Sequence, residues 1–231
     1  TTNSRPDELK SALSNRLLVI DGAMGTAIQN RDLGPDDFGG AEYEGCNEYL
    51  IITRPDVIED IHRSYLEAGA DIIETDTFGS TPVVLAEYDL AHEARRLNRD
   101  AAALARRVAE EYSTPDKPRF VAGSMGPTTK TISVTGGITF EELAADYHTQ
   151  AAGLIEGGVD LLLLETSQDT INVKAGLEGI DRAFAELGRE VPVAVQGTVE
   201  PMGTLLAGQD VEAFYTSLSH RNLLWIGLNF A

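Results

Sequence analysis

Two kinds of apolar pattern alternate along the chain. Six short runs are apolar almost without interruption: residues 17–21 (LLVID), 71–75 (DIIET), 119–124 (RFVAGS), 159–165 (VDLLLLE), 191–197 (VPVAVQG) and 223–229 (LLWIGLN). A strand with one wet face alternates. A continuous run points to a strand covered on both faces, as in a parallel sheet. Between these runs the apolar residues recur at helical spacing. Pro55–Ala68 opens on a proline suited to a first helical turn and is followed by Gly69. Residues 82–112 hold two helical pieces, of which 92–112 is the longer. Residues 139–156 begin as TFEE, a capping-box pattern, and stop at Gly157-Gly158. Residues 169–187 and 210–220 supply two further amphipathic helices.

Strands alternating with helices predict an α/β fold built from βα units. A (β/α)8 TIM barrel takes about 250 residues. The expectation is therefore such a barrel, truncated after about six units. A doubly wound sheet can be complete at six strands and is the rival arrangement. No Pro/Ser/Gly-rich tract interrupts the pattern. Residues 1–16 read as an N-terminal extension with a first helix, and residues 17–231 as one barrel domain, incomplete at its C-terminal end.

Composition narrows the partners. The 231 residues carry 37 acidic and 18 basic side chains, a net charge of −19. That balance argues against nucleic acid and against an anionic membrane surface. Cys46 is the one cysteine, so no internal disulfide can form, which suits a reducing cytoplasm. No apolar run reaches the roughly 18–20 residues of a membrane span. The opening TTNSRPDE lacks a signal-peptide pattern, and a start on Thr1 instead of Met points to a trimmed or processed end.

Chemistry is expected at strand ends. Asp21 closes the first run and is followed by Gly22, Ala23, Met24 and Gly25, whose backbone a ligand can approach closely. Asp21 either receives a ligand ammonium or caps this turn. Glu74 and Asp76 share a strand face and either bind a cation or tie loops together. Ser124 ends the third run. Glu165 follows four leucines, where a carboxylate is costly without a partner, and is the foremost candidate for a functional acid. His62, His92, His148 and His220 fall in or beside helices without metal-ligand spacing and read as structural or surface residues. Cys46 reads as a packed thiol.

LLVIDGAMGT, the block from YEGCNEYL through EAGADIIETDTFGS, VAGSMGPT and LLLLETSQD together resemble the homocysteine-binding domain of the cobalamin-dependent methionine synthases. More broadly, they are similar to the homocysteine S-methyltransferase family. The resemblance runs from about Leu17 to the last residue. It implies a (β/α)8 barrel that binds homocysteine and zinc at its strand ends. The zinc, held by three cysteines, favours the thiolate that attacks a methyl group. By the same resemblance, Asp21 and Glu165 match the acids that receive the amino group. Gly22, Ala23, Met24 and Gly25 match the backbone that meets the carboxylate, and Ser124 lines the amino-acid pocket. Asn229 matches the residue before the first zinc cysteine, yet Phe230 stands where that cysteine is expected, so no metal ligand is assigned in this chain. Methylcobalamin and methyltetrahydrofolate would bind other modules of the same polypeptide. A non-catalytic ligand-docking scaffold and a cobalamin-independent homocysteine S-methyltransferase remain the alternatives.

Overall fold

The computed structural model describes residues 4–229. Five parallel strands form one sheet: β1 (Ile72–Glu74), β2 (Phe120–Met125), β3 (Leu161–Ser167), β4 (Val193–Gly197) and β5 (Ile226–Leu228). They stand side by side in chain order, β1-β2-β3-β4-β5. Among the described residues the order never reverses, so the crevice of a doubly wound sheet does not arise.

The helices are α1 (Arg5–Asn15), α2 (Met24–Gln29), α3 (Leu50–Thr53), α4 (Pro55–Ala68), α5 (Pro82–Leu85), α6 (Ala94–Tyr112), α7 (Phe140–Gly157), α8 (Thr170–Leu187) and α9 (Val211–Leu218). The predicted capping box forms, with Thr139 and Glu142 closing it reciprocally on α7. Asp169 and Asp210 add side-chain caps to α8 and α9. The helix predicted over 92–112 begins two residues later, after a tight turn over Ala91–Glu93.

The first predicted strand differs most. Residues 17–21 pair with the sheet through a single parallel bridge, Ile20 to Ile72, with the Val19 carbonyl accepting from the Asp71 and Ile72 N–H groups at 2.8 and 3.1 Å and the Asp21 N–H donating to the Ile72 carbonyl at 2.9 Å. Two side chains reinforce this short pairing. Asp71 accepts from the Val19 N–H at 2.9 Å, and the Asp21 carboxylate accepts from the Glu74 N–H at 3.0 and 3.1 Å. Leu17 and Val19 are left exposed.

Period-two alternation divides the sheet into faces. Ile73, Val121, Leu162, Leu164, Val193 and Val195 pack against α4, α6, α7 and α8. Ile72, Phe120, Ala122, Leu161, Leu163 and Ala194 form the other face, closed at the N-terminal end by Leu9 of α1. Glycines let the outer helices approach closely. A Cβ on Gly153 or Gly157 of α7 would land on the Arg95 or Arg99 carbonyl of α6. No helix among the described residues is long and apolar enough to cross a membrane.

Candidate functional site

Followed toward the strand C-termini, the face that carries Ile72, Phe120, Leu161 and Ala194 changes from apolar to polar two residues at a time. Glu74 follows Ile72, Ser124 follows Ala122, Glu165 follows Leu163 and Gln196 follows Ala194. These four end residues line a cleft of about 680 Å³. Asp21, Gly22, Ala23, Met24 and Gly25 border it from the loop that leads into α2, and Asn229 from just beyond β5. The seven site residues read from the sequence thus meet in one place. A Cβ on Gly22 would lie 3.1 Å from the Tyr65 hydroxyl, a tight contact from which the Tyr65 ring would have to shift.

Five carboxylates line this cleft: Asp21, Glu48, Glu74, Asp76 and Glu165, with no Lys, Arg or His among its lining residues. Burial pushes all five carboxyls above their ordinary range. Mutual repulsion adds to it: Glu165 acts on Asp21 and Glu74, and Glu48 on Asp76. Asp76 is 5% exposed, and its Oδ2 has no hydrogen-bond partner among the described residues. Glu48 Oε1 accepts from the Gly79 N–H at 2.7 Å. A cleft that concentrates negative charge and supplies no cation of its own is suited to a ligand that brings one.

Glu165 is the most firmly held of the five. Its Oε1 accepts from the Ser124 hydroxyl at 2.7 Å, and its Oε2 from the Asn229 amide at 3.3 Å. The next residue, Thr166, has φ 54°, in the left-handed region that a β-branched side chain rarely enters. The pairing of β3 with β4 shifts register at this point, between Leu164 and Ser167. Such a backbone costs about 1–3 kcal/mol and persists where the surroundings impose it.

Sequence reasoning left Glu74 and Asp76 open and passed over Glu48 and Gln196. Glu48 sits in a short turn, Asn47–Tyr49, away from any strand end, and no periodicity points to it. Gln196 carried a usable signal, since it lies two residues after Ala194 at the polar end of a strand.

The remaining candidates lie apart from the cleft. Cys46 is buried among Leu85, Leu90, Ala94 and Leu97, and burial beside Glu48 pushes its thiol up to about 12. His62 is buried on α4 with both ring nitrogens unpartnered, and burial lowers it to about 4. His148 lies 2.6 Å from Glu186 on the outer helices.

The sequence pattern described as homocysteine S-methyltransferase matches residues 18–231. The chain belongs to the homocysteine S-methyltransferase family. Among its relatives, methionine synthase of Mycobacterium tuberculosis (strain ATCC 25618 / H37Rv) is 47% identical over 225 residues, which are 97% of this chain and 18% of that protein. Methionine synthase of Mycobacterium leprae (strain TN) is 46% identical over 224 residues, with the same coverage. The chain therefore spans less than a fifth of the length of these relatives. The homocysteine methyltransferase MmuM from Escherichia coli shares the fold. Its metallated form gives a TM-score of 0.78 at 21% identity, covering 96% of this chain and 77% of that one. Its oxidized form gives 0.79 at 22% identity, covering 98% and 77%.

The family resemblance carries an expectation of zinc. Among the described residues no three His, Cys, Asp or Glu side chains stand where they could share a metal ion. Cys46 is walled into an apolar cluster as a high-pKa thiol, and Phe230 lies outside the described residues. The described side chains do not fit a zinc site.

Proposed function

We propose that this chain is the homocysteine-binding module of a larger methionine synthase. The observation that carries the reading is the carboxylate-lined cleft with no cation in its walls. An α-amino acid supplies the missing charge. Its ammonium would lie between Asp21 and Glu165, where two carboxylates now repel each other. Its carboxylate would face the backbone of Gly22, Ala23, Met24 and Gly25, and Ser124 would hold Glu165 in place. The thiol end would point outward to receive a methyl group, with methylcobalamin and methyltetrahydrofolate carried by other modules of the relatives' polypeptide. The mycobacterial identities support this assignment.

The sequential parallel sheet supports the same reading at the level of fold, as part of a (β/α)8 barrel with residues 1–16 as an extension before it. A lone buried cysteine suits a cytoplasmic setting. Titration calorimetry with L-homocysteine tests the proposal. Saturable one-to-one binding that falls at least tenfold in Glu165→Gln is the expected result. No binding to the wild-type chain, or unchanged affinity in the variant, would overturn it.

A further inference from the structure

The Glu165 carboxylate is fixed by residues from both neighbouring sides of the sheet. From β2, Ser124 donates to Oε1 at 2.7 Å. From the far side, Asn229 reaches across β4 and donates to Oε2 at 3.3 Å. The Asn229 amide makes two more bonds, both to Thr166. Its Oδ1 accepts from the Thr166 N–H at 3.0 Å, and its Nδ2 donates to the Thr166 hydroxyl at 2.9 Å. Thr166 can present both groups to one amide because its backbone is turned to φ 54°, at the register shift of β3. In an ordinary strand conformation, the N–H and side chain of one residue point in different directions.

The amide therefore has a double attachment to residue 166 and a single one to residue 165. The double attachment fixes where the amide lies, and the single one tells the carboxylate which way to face. We infer that Thr166 and Asn229 form a clamp that sets the orientation of Glu165 for the ligand ammonium. Both are positioning residues, which act through Glu165 without touching the ligand's amino group. The inference rests on the proposed homocysteine reading. It adds that recognition of the amino group depends on the end of β5, two strands away from the acid.

The clamp has a signature that a general packing role lacks. Removing it penalises only ligands that use the ammonium. Homocysteine and its desamino analogue, 4-sulfanylbutanoic acid, separate the two. In Asn229→Ala, homocysteine affinity is expected to fall about tenfold, the typical effect of losing a charge-assisted hydrogen bond. Affinity for the analogue stays within about twofold, since each tenfold step needs a lost interaction of about 1.4 kcal/mol. Thr166→Val keeps the branched shape but removes both an anchor of the amide and a hydroxyl that acts on Glu165 itself, so it shows the same pattern. Equal losses for both ligands, or none for either, would overturn the clamp.

A second readout needs no ligand. With carbon-13 label in glutamate carboxyls, NMR follows the titration of Glu165 in the whole chain. Asn229→Ala moves its midpoint upward, because a donor to the ionised form is gone. An unmoved midpoint defeats the clamp even if the wild-type chain binds no homocysteine, a result that would count against the homocysteine reading alone. Thr166→Val carries the same test if Asn229→Ala does not fold.

Discussion

At the N-terminal edge of the sheet, Asp71 and Asp160 are 2% and 3% exposed, and each meets arginine. Asp71 makes a two-pronged pair with Arg16 at 2.8 and 2.7 Å. Burial pushes its carboxyl up, but the Arg16 and Val19 hydrogen bonds together outweigh that and hold it below the usual range. Asp160 binds Arg5 and Arg106 and accepts from the Val121 N–H at 2.8 Å. At the opposite edge, Asp76 and Glu165 are just as buried, at 5% each, and no cationic side chain lines their cleft. The two edges differ in one ingredient, a guanidinium. Where the protein supplies it, the carboxylate holds the fold. Where the protein withholds it, the carboxylate is left for something that arrives from outside.

The largest effect falls on the N-terminal edge. Asp160→Asn takes a carboxylate from Arg106 and leaves Arg5 with Glu8, and because both guanidiniums keep contact with solvent it is expected to cost about 2–3 kcal/mol. Urea unfolding measures it, and a loss below about 1 kcal/mol would erase the distinction between the edges. Glu165→Gln is next and should separate stability from binding. It removes a buried charge with no cationic partner, so unfolding free energy holds or rises slightly, while homocysteine affinity drops at least tenfold, about 1.4 kcal/mol. A variant that loses stability and keeps affinity would reverse the assignment of this edge.

The third test is pH. The cleft carboxyls have raised values in the folded state, so the folded chain binds more protons than the unfolded one above about pH 4. Their contribution is greatest in acid and is lost as pH rises through the raised values. Asp71 runs the other way, present above the unfolded value and lost as pH falls. Above about pH 4, Asp21→Asn and Glu74→Gln should flatten the decline in stability expected of the wild-type chain. Parallel curves for variant and wild type would remove these groups from the account. The smallest effect is expected for Asp76→Asn. Its Oδ2 has no partner to lose, so the thermal midpoint should move by only a degree or two, equivalent to less than about 1 kcal/mol.

Much of this was legible in the residues. Continuous apolar runs marked the parallel strands, because both faces of each are covered, and Thr139 announced its helix through capping chemistry. Asp21 and Glu165 stood out as charges at the ends of apolar runs. The first strand is shorter than its apolar run suggests, since a run of apolar letters does not reveal that pairing is confined to the stretch around Ile20, where the Asp71 and Asp21 side chains add to the backbone bonds. Glu48 was invisible because its place depends on a turn folding over the sheet, and Asn229's grip on Glu165 spans 64 positions. Contacts of that separation leave no local period to read.

The Arg5–Asp160 pair carries a consequence for synthesis. The two residues are 155 positions apart. At the usual 5–20 residues per second, a ribosome takes about 8–30 s to make the second after the first. The helix that seats Leu9 against the sheet is therefore finished long before its anchor exists. It must wait, exposed, while β1, β2 and β3 assemble beside one another. A helix made before the strands it covers is thus among the late pieces to dock, and its arrival closes the sheet from below.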